Sequence, residues 1–212
     1  MAVYDLEEQE QLDEFKAWWK RYQNVVVFVV VAAAVTASAI QGWRYYRNQQ
    51  AFEAGELYVQ MQAAAGKGDQ KKVQDIAGVL IERYPRTGYT RLAALAGAKA
   101  AFESGDAAGA RARLQWVVDN ASGDEMRDIA RLRLAAVLLE EKNYDEALKL
   151  LAARHGDSLS ASYADLKGDV LVAQGRTGEA RAAYQLALDK SDAMSAYRAL
   201  IQVKRDALGE AK

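Results

Sequence analysis

Two carboxylate pairs are the residues of this sequence whose spacing could support acid–base chemistry. Glu140 and Glu141 are adjacent, so on a helix their side chains point in different directions, whereas Asp165 and Asp169 share a helix face. General acid–base catalysis would place such a pair in a site that excludes water, and the surrounding residues imply no such pocket. We therefore expect Asp165 and Asp169 to form a solvated or partner-facing patch.

Metal and phosphate chemistry have equally little support. His155 is the only histidine and cysteine is absent, so no second imidazole and no thiolate could complete a zinc site. His155 follows a predicted helix end beside Arg154, where a cation suits the helix dipole. The stretch 105–109 is glycine-containing, but no Gly-Lys-Ser/Thr follows it. The sequence predicts no catalytic residue, metal site or cofactor, and favours a binding protein over an enzyme.

Composition argues against a nucleic-acid-binding protein and indicates the fold class. The 28 basic and 29 acidic residues nearly balance, and no basic stripe with interleaved aromatic residues occurs, so nucleic acid is not an expected partner. The chain has a single proline, Pro85, and is rich in Ala, Leu, Glu, Lys and Arg. These residues favour helices, so we predict an all-α protein.

An uncharged apolar run, Val25–Ile40, is the strongest feature of the N-terminal part. The range 24–43 makes about 20 residues, roughly 30 Å of helix, which is enough to cross a bilayer. Aromatic residues of the kind found at membrane interfaces flank both ends of the run: Trp18, Trp19, Tyr22, Trp43, Tyr45 and Tyr46. We predict a transmembrane helix at 24–43 in contact with lipid, preceded by a segment 1–23 with a short amphipathic helix and followed by a domain at 44–212.

Two alternatives to a retained membrane helix stay open. Ala37-Ser38-Ala39 has the form of a signal-peptidase site, and cleavage there would release a soluble periplasmic protein, although the acidic start of the chain is unusual for a signal peptide. A buried core helix is the third interpretation. Three basic residues before the run against two after it favour an N-terminus in the cytoplasm by a small margin.

The remainder of the chain is periodic. Four stretches of similar pattern end at Val73, Ala110, Ala147 and Ala180, with spacings of 37, 37 and 33 residues. Each follows one apolar-periodic segment and opens another. The pattern resembles the tetratricopeptide repeat, a helix-turn-helix unit of about 34 residues whose units stack to form a continuous core and a concave surface.

This resemblance assigns a role to several positions. Small residues at Ala98, Ala135 and Gly168 would let two helices approach closely. The turn position holds glycine in three units and Lys142 in the fourth. The predicted architecture is a single N-terminal transmembrane helix followed by an α-solenoid of about four helical hairpins. Its helices would lie at 52–65, 69–83, 89–103, 107–120, 125–141, 144–154, 160–174 and 177–189, with a capping helix at 192–208.

Two surfaces could contact partners. In the repeat register, first-helix residues would line a groove of mixed character, although core packing is the alternative for each apolar member. These residues are Tyr58, Gln62, Leu92, Leu95, Lys99, Phe102, Glu103, Ile129, Leu132, Leu139, Asp165, Asp169 and Val172. In the membrane helix, Ala34, Ser38 and Gly42 form a stripe of small residues that favours helix packing in lipid.

Several motifs together resemble one family. They are the acidic N-terminus, the membrane exit Gly42-Trp43-Arg44-Tyr45, the stretch Ala164–Asp169, and Gly178-Glu179-Ala180-Arg181 after Gly175. In these the chain is similar to the YfgM family, the ancillary subunit of the bacterial Sec (SecYEG) translocon. The resemblance implies a single-pass inner-membrane protein with periplasmic repeats. It also implies association with the translocon and with a membrane-anchored periplasmic prolyl-isomerase-like chaperone.

Two hypotheses for the function follow from the resemblance. The first is a non-enzymatic adaptor that helps to pass translocated proteins to periplasmic chaperones. The second is a scaffold that sequesters an envelope-stress response regulator at the inner membrane. The family contributes no catalytic residues.

Overall fold

The fold is all-α. The computed structural model describes the backbone of residues 2–209 and the side chains of residues 11–209, and it shows no strand within them. The chain divides into two compact units, Met1–Gln50 and Ala51–Lys212. The acidic side chains of Asp5, Glu7, Glu8 and Glu10 lie outside the described residues.

The first helix is one uninterrupted element. Helix α1 covers Ala2–Gly66, so the segment predicted as a separate short amphipathic helix continues into the apolar run without a break. Because this run contains neither proline nor charge, nothing in it ends a helix. The end of α1 also supplies the first helix of the first hairpin, which the sequence predicts at 52–65.

Eight further α-helices follow within residues 67–209, at positions close to the predicted ones. They are α2 (Gln70–Arg83), α3 (Gly88–Glu103), α4 (Ala107–Asn120), α5 (Asp124–Glu140), α6 (Tyr144–Leu151), α7 (Ser160–Ala173), α8 (Thr177–Lys190) and α9 (Ala196–Asp206), with a short 3-10 helix at Asp157–Leu159 before α7. Two bounds differ from prediction by three residues or more. Helix α6 ends at Leu151 rather than at 154, and α9 begins at Ala196 rather than at 192, because the Ser195 side chain caps it.

The turn within each hairpin has the same geometry. The turn residues Gly68, Gly105, Lys142 and Gly175 all have positive φ, between 60° and 86°. In the second turn the amide of Asp106 donates to Ala101 O at 2.8 Å, and that of Gly105 donates to Phe102 O at 3.0 Å. The other three turns make the equivalent pair of bonds, which satisfies the last carbonyls of each first helix.

Small residues set the helix spacing inside the hairpins. Ala98 and Ala135 are buried, and a Cβ on Gly168 would lie 2.4 Å from the ring of Tyr184. Gly97 allows close approach of α3 to α2, between the first two hairpins, because a Cβ at Gly97 would lie 2.6 Å from the Cβ of Ala77. The buried core residues of the repeat domain form three clusters, the first of which includes Ala54 of α1.

Polar side chains also join neighbouring turns. Gln70 donates to Glu103 at 2.9 Å between the first and second turns, and Arg111 donates to both carboxylate oxygens of Glu146 at 2.8 and 2.7 Å between the second and third. Gln174 donates to Asp145 at 3.2 Å between the third and fourth turns. Adjacent hairpins are thus held in register at their turn ends.

Candidate interaction surfaces

The predicted groove residues divide into exposed and buried members. Leu92, Phe102 and Val172 are 41%, 42% and 38% exposed, which is high for large apolar side chains. Ile129, Leu132 and Leu139 are half-buried against the core. Leu95, at 6% exposure, is a core residue, so its assignment to the groove is wrong because its face of α3 packs against neighbouring helices.

The polar groove residues on the first two hairpins are accessible. Lys99 and Glu103 form an exposed ion pair, with 3.6 Å between Nζ and Oε1, one helix turn apart on α3. Gln62 is exposed, whereas Tyr58 is half-buried with its ring 5.6 Å from that of Tyr89. Their role in partner binding stays a prediction.

Asp165 and Asp169 occupy a different environment from the one expected. Lys204 of α9 donates to both oxygens of Asp165 at 3.0 Å and to Asp169 at 2.8 Å. Tyr197 donates to Asp165 at 2.6 Å, and Tyr184 donates to Asp169 at 2.7 Å. We call these five residues the Lys204 cluster. Asp165 is 5% exposed, so the prediction of a solvated pair is wrong for it, because the capping helix covers its face of α7.

The electrostatics of the Lys204 cluster favour a protonated lysine and protonated phenols. Burial, followed by the hydrogen bonds to Asp169 and Asp165, raises the pKa values of Tyr184 and Tyr197 above their ordinary range. Burial alone would lower the pKa of Lys204, but the hydrogen bonds to both aspartates outweigh it, and the net shift is upward. At neutral pH the cluster therefore keeps a charged lysine and two neutral phenols.

A second polar centre lies at the junction of α5, α6 and α7, and sequence reasoning missed it. Asp128 is 3% exposed and accepts from Arg131 at 3.1 Å and from the amide of Gly156 at 3.0 Å. The buried Tyr163 hydroxyl donates to the backbone oxygen of Asp128 at 2.8 Å. Burial, and then the charge of Asp128, raises the pKa of Tyr163 to about 12 although Arg131 opposes the shift.

His155 belongs to this second centre. Its ring stacks on that of Tyr163 with 4.0 Å between centroids, and its Nδ1 lies 2.9 Å from Ala153 O. The His155 side chain is half-buried, and one face of its ring is covered. No group of three or more His, Asp or Glu side chains within the described range 11–209 is placed to hold a metal ion.

A shallow surface groove on the membrane segment contains part of the predicted small-residue stripe. Ser38 and Gly42 line it together with Ala37, Gln41 and Tyr45, whereas Ala34 does not. By length and composition this helix could cross a membrane, and it is the single such helix within the described part of the chain. Helix packing through this stripe stays a prediction.

Comparison with known proteins agrees with this architecture. Residues 16–210 match the family described as tetratricopeptide repeat-like domain. The chain is 31% identical to a protein of Neisseria gonorrhoeae over 98% of its own length and 100% of the relative's. It is 28% identical to one of Haemophilus influenzae over 87% and 90% of the two lengths, and 27% identical to one of Escherichia coli over 96% and 97%. Each of these relatives is named "Ancillary SecYEG translocon subunit".

The likeness covers both the apolar helix and the repeat domain, since it extends over nearly the whole chain and nearly the whole of each relative. One candidate membrane helix fits a single-pass protein of the inner membrane. The repeat-like fold and the names of the relatives indicate a non-catalytic ancillary subunit. The chain belongs to the YfgM family, whose curated members are the ancillary SecYEG translocon subunits and whose repeat region is a tetratricopeptide repeat-like domain.

Proposed function

We propose that this protein is a membrane-anchored adaptor of the SecYEG translocon. The observation that carries the proposal is the near full-length similarity to relatives named as ancillary translocon subunits, which includes the apolar helix as well as the repeats. In this proposal the N-terminus lies in the cytoplasm and the repeat domain lies in the periplasm. The domain helps to hand translocated proteins to periplasmic chaperones, including a membrane-anchored prolyl-isomerase-like chaperone.

The concave face of the repeats supports a role in protein contact. Leu92 and Phe102 are exposed apolar side chains on α3, and Lys99 and Glu103 on the same helix supply a charged margin. Exposed apolar side chains bordered by polar residues are typical of surfaces that bind other proteins. We therefore assign partner contact to the α3 face of the groove rather than to Asp165 and Asp169, whose carboxylates bind α9.

Affinity purification of the full chain from gently solubilised membranes tests the proposal. Wild-type protein should bring down translocon subunits, and the double variant Leu92→Ala/Phe102→Ala should bring down fewer of them or fewer chaperone subunits. Leu186→Ala is the matched control, because Leu186 is similarly exposed but lies on α8, a second helix of a hairpin. Consistent absence of translocon subunits from an intact wild-type sample would remove the proposal.

Protease digestion of spheroplasts tests the orientation separately. A C-terminal tag and the N-terminus are followed in the same sample. Digestion of the repeats with protection of the N-terminal fragment would place the domain in the periplasm. Repeats that survive until the membrane is broken would lie in the cytoplasm, and the hand-over role would then be lost.

The second candidate function is regulation of an envelope-stress response regulator through the N-terminal segment. Six acidic residues within positions 5–14 precede the apolar run, and they give this segment a character unlike the rest of the chain. Deletion of residues 2–14 should change stress signalling while translocon subunits still co-purify. An unchanged stress response would count against this role.

A further inference from the structure

The loop between the first two hairpins carries an unusual set of charges. Arg83 lies in the last turn of α2, Arg86 in the loop, and Arg91 near the start of α3. Arg83 and Arg86 are exposed and Arg91 is half-buried. None of the three forms an ion pair or a side-chain hydrogen bond with any residue whose side chain the structure describes. We call the segment 83–91, which carries these three arginines, the arginine loop.

The local excess of arginine over acidic residues distinguishes this loop. Elsewhere in the repeat domain some arginines bind a carboxylate within 3.5 Å, as Arg111, Arg127 and Arg131 do, whereas others, such as Arg113, form no ion pair within the described residues either. The range 82–91 holds three arginines against one glutamate, Glu82, whereas the equivalent loop of the next hairpin, 119–128, holds four acidic residues against one arginine. Positive charge is thus concentrated at one loop and does not follow the whole edge of the solenoid.

Internal bonds fix the conformation of the arginine loop. The amide of Thr87 donates to Tyr84 O at 3.1 Å, and the buried Thr90 hydroxyl donates to the same oxygen at 2.7 Å. The Tyr84 hydroxyl donates to Glu53 of α1 at 2.9 Å. These bonds hold the backbone positions of the three arginines, so little backbone conformational entropy is lost when the loop binds an external anion.

We propose that the arginine loop binds the phosphate headgroups of anionic lipids in the membrane that anchors the chain. Guanidinium groups bind phosphate through paired hydrogen bonds, and each basic residue near an anionic bilayer contributes to attraction. The exposed Tyr89 next to the loop adds a side chain suited to the headgroup region. Glu53 follows Trp43, the last residue of the predicted membrane helix, after only nine intervening residues, so tethering keeps the bilayer at high effective concentration near the loop. The proposal rests on the membrane helix and does not depend on contact with the translocon.

Lipid nanodiscs containing the full-length protein provide the test. Because the chain has no cysteine, Val79→Cys introduces a single labelling site one helix turn before Arg83, on an exposed face of α2. A fluorophore at this position should be quenched by headgroup-labelled lipid in discs of phosphatidylcholine with phosphatidylglycerol. The quenching should be much weaker in phosphatidylcholine alone, and it should fall at high ionic strength. The same probe on Ser122→Cys, in the acidic loop, is the matched control and should not be quenched.

Charge removal identifies the residues responsible. In the triple variant Arg83→Gln/Arg86→Gln/Arg91→Gln the quenching at residue 79 should disappear, with a drop of about fivefold in the docked-to-free ratio for each arginine removed. Circular dichroism confirms folding. If the triple variant is unfolded, the single variant Arg86→Gln replaces it in the test, because Arg86 lies in the loop between the helices. This variant should lower the docked-to-free ratio about fivefold.

Three outcomes would overturn the proposal. The first is equal quenching in neutral and anionic discs, and the second is quenching that persists in a folded charge variant. The third is displacement of the loop from the bilayer by an acidic peptide whose charge concentration equals that of the anionic lipid. The last result would assign the arginines to an acidic protein segment instead. Normal recovery of translocon subunits by the same charge variant would separate this proposal from the adaptor function.

Discussion

Lys204 Nζ lies 2.8 Å from Asp169 Oδ2 and thereby fastens the last helix of the chain to the first helix of the fourth hairpin. The contact is partly shielded from water, since both side chains are less than one-third exposed. Helix α9 completely buries a single large apolar residue, Ile201, so the apolar area that attaches α9 to the rest of the domain is small. Attachment of α9 therefore relies on polar contacts, among them this ion pair and the hydrogen bond from Tyr197 to Asp165.

Replacement of Lys204 by methionine should destabilise the domain by about 1–3 kcal/mol. The loss of the ammonium leaves Asp165, which is buried, without its countercharge, and an uncompensated buried charge is costly. Chemical denaturation followed by circular dichroism measures the effect. Lys190→Met, at an exposed position on α8, is the control and should stay within about 0.5 kcal/mol of wild type. Equal stability of the two variants would contradict the structural role.

Tyr163 predicts a dependence of stability on alkaline pH. Its pKa of about 12 in the folded state lies above the ordinary value near 10, so its contribution is fully present below pH 10 and is lost as pH rises toward 12. Tyr163→Phe lacks this titration. The variant should be less stable than wild type at pH 8 by about 1 kcal/mol, and the difference should narrow above pH 10.

Urea denaturation at pH 8, 10 and 11 measures this change. Tyr89→Phe, which replaces an exposed tyrosine, is the matched control. A constant difference between wild type and Tyr163→Phe would show that the buried hydroxyl does not titrate as described.

Lys142 predicts a stabilising substitution. Its φ of 60° is a left-handed conformation that costs a residue with a Cβ about 1 kcal/mol, and the three equivalent turn positions hold glycine. Lys142→Gly should therefore raise the free energy of unfolding by up to about 1 kcal/mol. Lys142→Ala removes the same side chain but keeps the Cβ, so it should give no comparable gain. A similar gain from alanine would assign the effect to lost charge instead of backbone strain.

Gly168 and Gly178 predict opposite responses to alanine. A Cβ at Gly168 would lie 2.4 Å from the ring of Tyr184, so Gly168→Ala should destabilise the last hairpin by about 1–3 kcal/mol. No atom lies within 4 Å of a Cβ at Gly178, and that residue is helical, so Gly178→Ala should be neutral or stabilising by up to about 1 kcal/mol. Thermal denaturation of both variants gives the comparison.

The hairpin architecture could be predicted from the sequence because its determinants are local. Glycine or Lys142 at the turns, small residues at Ala98, Ala135 and Gly168, and apolar periodicity all act within one hairpin, and the observed helices agree with them. The family resemblance was also confirmed. The early end of α6 was not predictable, because the loop after it bonds to Asp128, 28 residues before Gly156.

The polar clusters could not be predicted either, because their members are far apart in the sequence. Asp165 and Asp169 share a helix face in the sequence, but whether that face meets water depends on Lys204, 39 residues after Asp165. Asp128 and Tyr163 are 35 residues apart, and no local motif joins them. Pairing across hairpins follows from stacking geometry, which a periodic pattern alone does not determine.

The Lys204 cluster also limits how many repeats this solenoid can hold. A fifth hairpin inserted after α8 would occupy the place of α9 and would meet two aspartates with no lysine to neutralise them. Lengthening the array would therefore require replacement of Asp165 and Asp169 together with the insertion. The charges on α7 therefore disfavour the insertion of a further hairpin, although they lie two helices before α9.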